Sequence, residues 1–428
     1  MIETIRNAWK VKELRNKILF TFFIILIFRI GSVIPVPYIN TGALMASMGS
    51  TTNQFFSYLS VLTGGGLEYG AIFAMSVTPY INSSIIIQLL SVAIPALERL
   101  AKQGEEGQKK IAQITRYTTI ILGLIQGLAY FFYLRGNRYL SVAGTKATIF
   151  AGFVITLCFT AGSALVMWLG EQIDVKGIGN GISILLFSGI ISRAPDAANY
   201  MWQMWQIPGA RYKLSVIGIL IGFLVVIGFI VWMTNAERRI PVQYAKRVVG
   251  NKMYGGQNSH IPIKVNMSGV MPVIFASSIL MLPTMILSFV KDTGSSWYKF
   301  LSLFSVSGVL YAILYLVMII GFAYFYTTIQ FNPVEMANNL RKNGGSVPGI
   351  RPGKPTSDFI SKILSRITLM GALFLGVIAI LPIIIGNVGG ISITLGGTSV
   401  LILVGVALDT VTNLESQMMM RHYKGFLD

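Results

Sequence analysis

Residues 214–234 read LSVIGILIGFLVVIGFIVWMT and contain no charged side chain. A helix needs about 20 predominantly apolar residues to cross the hydrocarbon core of a bilayer. Lys213 precedes this stretch, and Arg238 and Arg239 follow it after a short link. The stretch therefore predicts a membrane-spanning helix with its charged residues kept at the two ends.

The same pattern recurs along the 428 residues, of which 54% are hydrophobic and only 12% are charged. A soluble domain carries about 25% charged residues, so the composition favours an all-α polytopic membrane protein. We predict ten spans, at residues 18–34, 71–94, 117–134, 149–170, 178–192, 214–234, 269–290, 308–330, 363–385 and 398–414.

Basic residues orient these spans. With a cytoplasmic N-terminus, about 25 of the 34 Lys and Arg residues fall on the inner side, and the positive-inside rule then places both termini in the cytoplasm. Ten spans divide into two five-helix halves of opposite topology, residues 18–192 and 214–428, with an outside hinge at 193–213. Residues 1–17 alternate apolar and basic side chains, which predicts an amphipathic helix on the cytoplasmic membrane surface.

The sequence offers little catalytic chemistry. Only Arg29 and Asp409 are ionisable groups well inside the predicted spans, whereas ion-coupled transporters usually need several. The glycine-rich stretch 177–181 opens a span instead of following a strand, which argues against a nucleotide loop. With one cysteine, Cys158, no disulfide framework is possible. We therefore predict no enzyme activity, no catalytic residue, no cofactor and no metal.

Residues 54–63 are moderately apolar but too short to cross a bilayer. They precede Gly64, Gly65 and Gly66 and then the second span. Non-helical backbone at membrane depth is tolerated only inside protein or beside water. The segment is interpreted either as a re-entrant helix on a flexible glycine link or as an outer helix resting on the membrane.

Uncharged polar side chains lie within the second, third and seventh spans. Such groups avoid lipid and prefer a helix interface or a wet cavity. They indicate either ordinary hydrogen bonds between helices or a seam that can open. The candidate residues are Asn82, Ser83, Gln88, Gln126, Ser277 and Ser278.

Two inner loops, 235–266 and 331–358, concentrate positive charge. Their charge serves orientation alone, or it forms a platform for ribosomal RNA phosphates or for an acidic motor protein. The segments 242–244 and 252–254, which stand on either side of Gly250 and Asn251, predict a β-hairpin. The candidate docking residues are Arg238, Arg239, Lys246, Arg247 and Arg351.

Several motifs resemble those of the SecY family of protein-conducting channel subunits. Residues 74–90 read AMSVTPYINSSIIIQLL and resemble the family's second-span signature, and WLGEQI at 168–173 followed by GIGNGIS at 177–183 resembles another. Further matches stand at 244–247, 262–266, 331–333, 347–353 and 396–399, so the resemblance covers essentially the whole chain.

The resemblance implies an hourglass pore between the two halves, a plug at residues 54–66 and a lateral gate built from spans 2, 3, 7 and 8. The uncharged polar residues of the seam would lie in that gate. It assigns a ring of aliphatic side chains to the constriction: Val77, Ile81, Ile182, Leu186, Ile274 and Ile402. The plug and its hinge would comprise Phe55, Phe56, Tyr58, Leu59, Leu62, Gly64, Gly65 and Gly66.

The function implied is the central channel of the Sec translocase in a bacterial inner membrane. It would pass unfolded precursors and admit hydrophobic signal sequences and segments to lipid. Implied partners are the membrane subunits SecE and SecG, the SecA motor ATPase, the ribosome and membrane lipids. The alternative functions are a secondary transporter with inverted repeats and a membrane scaffold without a pore.

Overall fold

The computed structural model describes residues 6, 9–49, 60, 63–142, 144–207, 210–244, 247–249, 252–254, 258–289, 308–389 and 397–424. The chain divides into two compact units. The first unit comprises Met1–Val216, Met281–Ser302 and Ile402–Asp428, and the second comprises Ile217–Leu280 and Leu303–Leu401.

Most described residues are helical, as predicted. The helices before the strands are α1 Lys12–Gly31, α2 Thr41–Gly49, α3 Thr78–Ala93, α4 Pro95–Lys102, α5 Glu105–Gly136, α6 Thr145–Lys176, α7 Gly181–Ile191, α8 Ala194–Gln206 and α9 Ala210–Thr234. Then come β1 Glu237–Tyr244, β2 Arg247–Val249, β3 Lys252–Tyr254, β4 Asn258–Lys264, α10 Met271–Phe289, α11 Val309–Gln330, α12 Pro333–Lys342, β5 Gly345–Ser346, α13 Lys354–Gly389 and α14 Gly397–Lys424.

Six helices in the described part of the chain are long and apolar enough to cross a membrane. A seventh span is reached if α3 and α4, which meet at a bend of 101°, are counted as one. This confirms a polytopic helical membrane protein, and the count of ten spans stays a prediction. Helix α1 begins at Lys12, so it extends across the predicted boundary at residue 17.

In the first unit, α5 and α6 pack closely because small residues face each other. A Cβ atom at Gly123 would lie 3.0 Å from Ser163 Oγ, and one at Gly127 would lie 3.3 Å from Thr156 Cγ2. Small residues four positions apart allow two membrane helices to approach. Buried aromatic and aliphatic side chains, among them Tyr130 and Phe159, fill the core beside this contact.

The prediction of a continuous helix over 71–94 is wrong for residues 71–77: Ala71 forms a β-bridge with Pro35, and 72–77 form successive turns before α3. Their backbone is held by the end of α1: the Phe73 amide donates to the Gly31 carbonyl oxygen at 3.3 Å. A Cβ at Gly162 on α6 would lie 2.1 Å from the Ile72 carbonyl oxygen. Irregular backbone is tolerated here because protein surrounds it.

The second unit contains an antiparallel sheet of order β4-β1-β5. Ile240 and Val242 alternate inward along β1 and pack with Ile263 of β4 and with buried residues of α12 and α13, among them Leu340. A hairpin is present, because β2 pairs with β3 in the register Val249–Lys252. The prediction is wrong about its first arm, since Val242 and Gln243 lie on β1 and pair with Ser259 and Asn258 of β4. The inner loops 235–266 and 331–358 are therefore largely folded, and the fold is not purely helical.

Candidate functional site

The first predicted ring pair lies at the start of α3. Val77 is buried and precedes the first helical residue, and its carbonyl oxygen accepts the Ile81 amide at 3.0 Å. Pro79 stands in the first turn, where its fixed φ favours helix initiation. Val77 and the half-buried Ile81 are thus one turn apart on a shared side of the helix, as predicted.

The second pair lies on α7, directly after the glycine-rich turn. Asn180 caps the helix, with its Oδ1 accepting the Ser183 amide at 3.0 Å. Leu186 is buried and Ile182 is half-buried. A Cβ at Gly170 would lie 2.6 Å from Ile182 Cδ1, so the Ile182 side chain packs against α6 at Gly170.

The other two ring candidates lie far along the chain. Ile402 is buried on α14 in the first unit, and Ile274 is half-buried on α10 in the second unit. Five of the six candidates thus belong to the first unit. That all six line one constriction stays a prediction.

The predicted plug residues Phe55, Phe56, Tyr58, Leu59 and Leu62 lie outside the described residues. The glycines after them are described and buried. Gly64 and Gly65 have φ of +62° and +89°, a region that glycine enters without a steric cost. A Cβ at Gly64 would also lie 2.6 Å from Ser192 Oγ, so this tight turn requires glycine at Gly64 on two grounds.

Two arginines, Arg29 and Arg193, donate hydrogen bonds to residues in and beside the turn at Gly64 and Gly65. Arg29 Nη1 donates to the Gly64 carbonyl oxygen at 2.7 Å. Arg193 Nη2 donates to the Glu68 carboxylate and to the Ser60 hydroxyl, and Ser60 Oγ donates to Glu68 Oε1 at 2.5 Å. Apart from Gly64, none of the residues in this cluster was predicted from the sequence to be a site residue. The available signal was an arginine inside the first predicted span, which required a partner.

The candidate gate residues mostly form hydrogen bonds or are half-buried. Ser83 is fully buried and its hydroxyl donates to the Thr115 carbonyl oxygen on α5 at 2.8 Å. Ser277 Oγ donates to the Ile274 carbonyl oxygen within α10 at 2.9 Å, and Gln88 Nε2 donates to Ser84 within α3. The interhelical interpretation holds for Ser83. The others, Asn82, Gln126 and Ser278, are half-buried.

The basic platform is a single folded surface. Strand β5 from the second inner loop pairs with β1 from the first, in the register Gln243–Ser346 and Tyr244–Gly345. This pairing joins the loops 235–266 and 331–358, which were predicted as two separate basic loops. Within the described residues of these two loops, the exposed basic side chains are Arg238, Arg239, Lys264, Arg341, Lys342, Arg351 and Lys354.

The docking candidates differ in their surroundings. Arg239 Nε donates to Glu237 Oε1 at 2.6 Å, which neutralises part of its charge. Arg351 is exposed in the turn between β5 and α13, and its carbonyl oxygen accepts the Thr356 hydroxyl at 2.8 Å. Arg247 lies on β2, and Lys246 lies outside the described residues.

Apolar spans, an irregular segment buried among helices and a basic folded platform together define a polytopic helical membrane protein. The sequence matches the model of the family described as SecY over residues 71–411. The chain belongs to the SecY family.

Curated relatives extend the match to the whole chain. Protein translocase subunit SecY of Bacillus subtilis is 44% identical, and that of Thermotoga maritima is 42% identical. Each alignment covers 100% of this chain, with 100% and 98% of the relative.

Solved structures share the fold at lower identity. One described as a study of how the SecY plug domain stabilises the closed channel has a TM-score of 0.68 at 18% identity, covering 94% of this chain and 92% of that one. Canine Sec61 in a ribosome-channel complex has a TM-score of 0.61 at 16% identity, with the same coverage.

Proposed function

We propose that this chain is the channel-forming subunit of a bacterial protein translocase. It passes unfolded secretory proteins across the membrane and releases hydrophobic segments sideways into lipid. The observation that carries the proposal is identity above 40% over the full length to subunits named as protein translocase components.

The proposed conduction site is the aliphatic ring of six side chains already described. An aliphatic constriction offers no hydrogen bonds to a hydrated ion, so it resists ion passage at rest. The same lack of polar groups gives no side-chain preference, so an extended polypeptide of any sequence can pass. Hydrophobic segments leave through the proposed gate, where Ser83 now bonds Thr115 between α3 and α5.

We propose that a partner protein supplies the energy for translocation, because the sequence predicts a channel subunit without a nucleotide-binding site. We infer that SecA and the ribosome dock on the basic platform, around Arg238 and Arg351, and that SecE and SecG complete the membrane assembly. Exposed basic residues attract both phosphates and acidic protein surfaces. In this proposal the protein lies in the inner membrane. The platform and both termini face the cytoplasm.

The decisive experiment reconstitutes the chain with SecE and SecG in vesicles and adds SecA, ATP and an unfolded secretory precursor. Protection of the precursor from added protease, dependent on SecA and on this chain, is the expected result. Absence of protection in an assembly that binds SecA would overturn the proposal. A secondary transporter would instead show gradient-driven uptake of a small solute without SecA.

A further inference from the structure

The turn between α6 and α7 is held in place by a threonine of α1. The Thr21 hydroxyl accepts a hydrogen bond from the Ile178 backbone amide at 3.2 Å, and it donates one to the Lys17 carbonyl oxygen at 2.9 Å. Thr21 is 9% exposed and Ile178 is 4% exposed. A buried backbone amide must find a partner within the protein, and here the partner stands 157 positions away along the chain.

Glycine at position 177 permits this contact. A Cβ atom at Gly177 would lie 2.6 Å from Thr21 Oγ1 and 2.7 Å from the Ile173 carbonyl oxygen. The Gly177 amide donates to that same carbonyl oxygen at 2.7 Å, where α6 ends. The missing side chain therefore lets α1 approach the end of α6 closely enough for the Thr21 hydroxyl to reach the next amide.

Helix α14 packs against the same turn. Leu14 of α1, Ile178 of the turn and Leu414 of α14 form one buried apolar cluster. Beside this cluster, Lys17 Nζ on α1 donates to Gln417 Oε1 on α14 at 3.2 Å. The turn is therefore fixed by α1 and α14 as well as by its covalent link to α6.

Three of the six ring candidates lie on helices that meet at this turn. Ile182 and Leu186 lie on α7, which begins at Gly181, three positions after Ile178, and Ile402 lies on α14. Helix α7 has 11 residues, and the fixed rise and rotation of a helix make its side chains move together. A displacement of the turn would therefore shift Ile182 and Leu186 as a pair.

We propose that Thr21 is a positioning residue for the proposed constriction, because its hydroxyl holds the turn from which the ring side chains of α7 project. This inference rests on the proposed function. A hydroxyl suits the position because its oxygen can donate within α1 and accept from the turn at the same time. Valine has nearly the same shape as threonine and can do neither, so Thr21→Val separates the hydrogen bond from the packing.

The test makes two measurements on the chain assembled with SecE and SecG. Hydrogen exchange at the Ile178 amide, read in lipid nanodiscs by mass spectrometry with residue-level fragmentation, reports the hydrogen bond. Ion leak from reconstituted vesicles reports the constriction. The variants are Thr21→Val, Thr21→Ala as a second way to remove the hydroxyl, and Thr21→Ser, which keeps it.

Thr160→Val is the matched control. Thr160 is also buried, and its hydroxyl donates within its own helix α6, to the Thr156 carbonyl oxygen at 2.8 Å. The change therefore removes a buried threonine hydroxyl in the same unit while leaving the turn in place. Circular dichroism and the unfolding temperature first establish that each variant is folded.

We expect faster exchange at Ile178 and on the order of tenfold more leak in Thr21→Val and Thr21→Ala, because an unsatisfied buried donor destabilises the arrangement that contains it. Thr21→Ser and Thr160→Val should match the wild type in both measurements. A role in packing alone would lower the unfolding temperature of Thr21→Val and Thr21→Ala without adding leak, and that result would overturn the proposal.

Two other results would also overturn it: unchanged exchange at Ile178 in Thr21→Val, or equal leak from Thr21→Val and Thr160→Val. Failure of wild-type vesicles to translocate a precursor with SecA and ATP would instead contradict the proposed function. The two failures are distinguishable, because the exchange measurement at Ile178 does not depend on translocation.

Discussion

Asp174 Oδ1 accepts a hydrogen bond from the Gly181 amide at 2.7 Å, which closes the turn between α6 and α7. A Cβ at Gly181 would lie 2.0 Å from the Gly170 carbonyl oxygen. The glycine-rich motif therefore has a packing role: it lets α7 begin directly against α6. Since α7 carries Ile182 and Leu186, this turn sets the position of two ring candidates.

Replacing Gly181 with alanine should destabilise the first unit, because backbone atoms must move to admit the new methyl group. Overpacking of this kind costs about 1–3 kcal/mol. The measurement is thermal unfolding of the purified protein in detergent. Gly218→Ala on α9 is the control, since a Cβ there meets nothing within 4 Å, and it should unfold at or slightly above the wild-type temperature. Equal unfolding temperatures for Gly181→Ala and the wild type would contradict the packing role.

The motif spacings were sufficient to predict the local structure that carries four of the six ring candidates. Val77 and Ile81, like Ile182 and Leu186, are four residues apart, and the helix period then fixes their shared side. The β-hairpin was recoverable only in part: the arm at 252–254 was predicted, but its partner is Arg247–Val249 and not 242–244.

The turns at 71–77 were not predictable from composition. Their residues are as apolar as those of a helix, and the positive φ of Ser76 is invisible in hydropathy. The pairing of β1 with β5 and the contact of Arg193 with Glu68 join residues about a hundred positions apart or more. Periodicity reports only neighbours along the chain, so tertiary packing had to supply these contacts.

Replacing Ile81, Ile182 and Ile274 together with glycine should raise ion conductance through reconstituted channels. The change widens the proposed constriction and removes the apolar surface that excludes hydrated ions. Planar-bilayer recording measures it directly. Glycine in a helix costs about 1 kcal/mol per site by itself, so the control is Ile87→Gly/Ile184→Gly, which changes buried isoleucines of α3 and α7 outside the ring. Unchanged conductance in the triple variant would contradict the assignment of these side chains to the constriction.

The single variant Ile182→Gly distinguishes two roles of this side chain: lining the proposed constriction and packing against α6. Its Cδ1 leans on Gly170 of α6, so a purely packing role predicts that Ile182→Gly lowers the unfolding temperature without adding leak. A lining role predicts extra leak from Ile182→Gly even when the variant remains folded at the temperature of recording.

Arg351→Glu should abolish translocation while leaving membrane insertion of the channel intact. The side chain is exposed on the platform, and Thr356 is anchored through the backbone carbonyl of Arg351, so the charge reversal leaves the local hydrogen bond in place. The readouts are protease protection of a precursor and binding of SecA to the vesicles. Arg341→Glu on α12 reverses an equally exposed charge on the same unit. Normal translocation by Arg351→Glu, or equal loss in both variants, would refute a specific role for Arg351.

Helix α8 should lie in the outer membrane interface, with Trp202 and Trp205 at the depth of the lipid headgroups. These side chains are 64% and 40% exposed and stand three residues apart, while Met204 turns inward and is buried. Lys213 lies 5.8 Å from the centre of the Trp205 ring, which places a cation beside the same surface. Tryptophan favours membrane interfaces because its ring is apolar and its N–H is polar.

Fluorescence quenching tests this placement, because lipids brominated at shallow and deep chain positions quench according to depth. In a variant whose other tryptophans are phenylalanine, shallow bromines should quench Trp202 and Trp205 more than deep bromines or aqueous iodide do. A second variant that keeps Trp232 as its single tryptophan provides the reference, because Trp232 lies near the end of the membrane helix α9 and is 67% exposed. Dominant quenching by iodide would place α8 in water, and insensitivity to every quencher would indicate that a partner protein covers it.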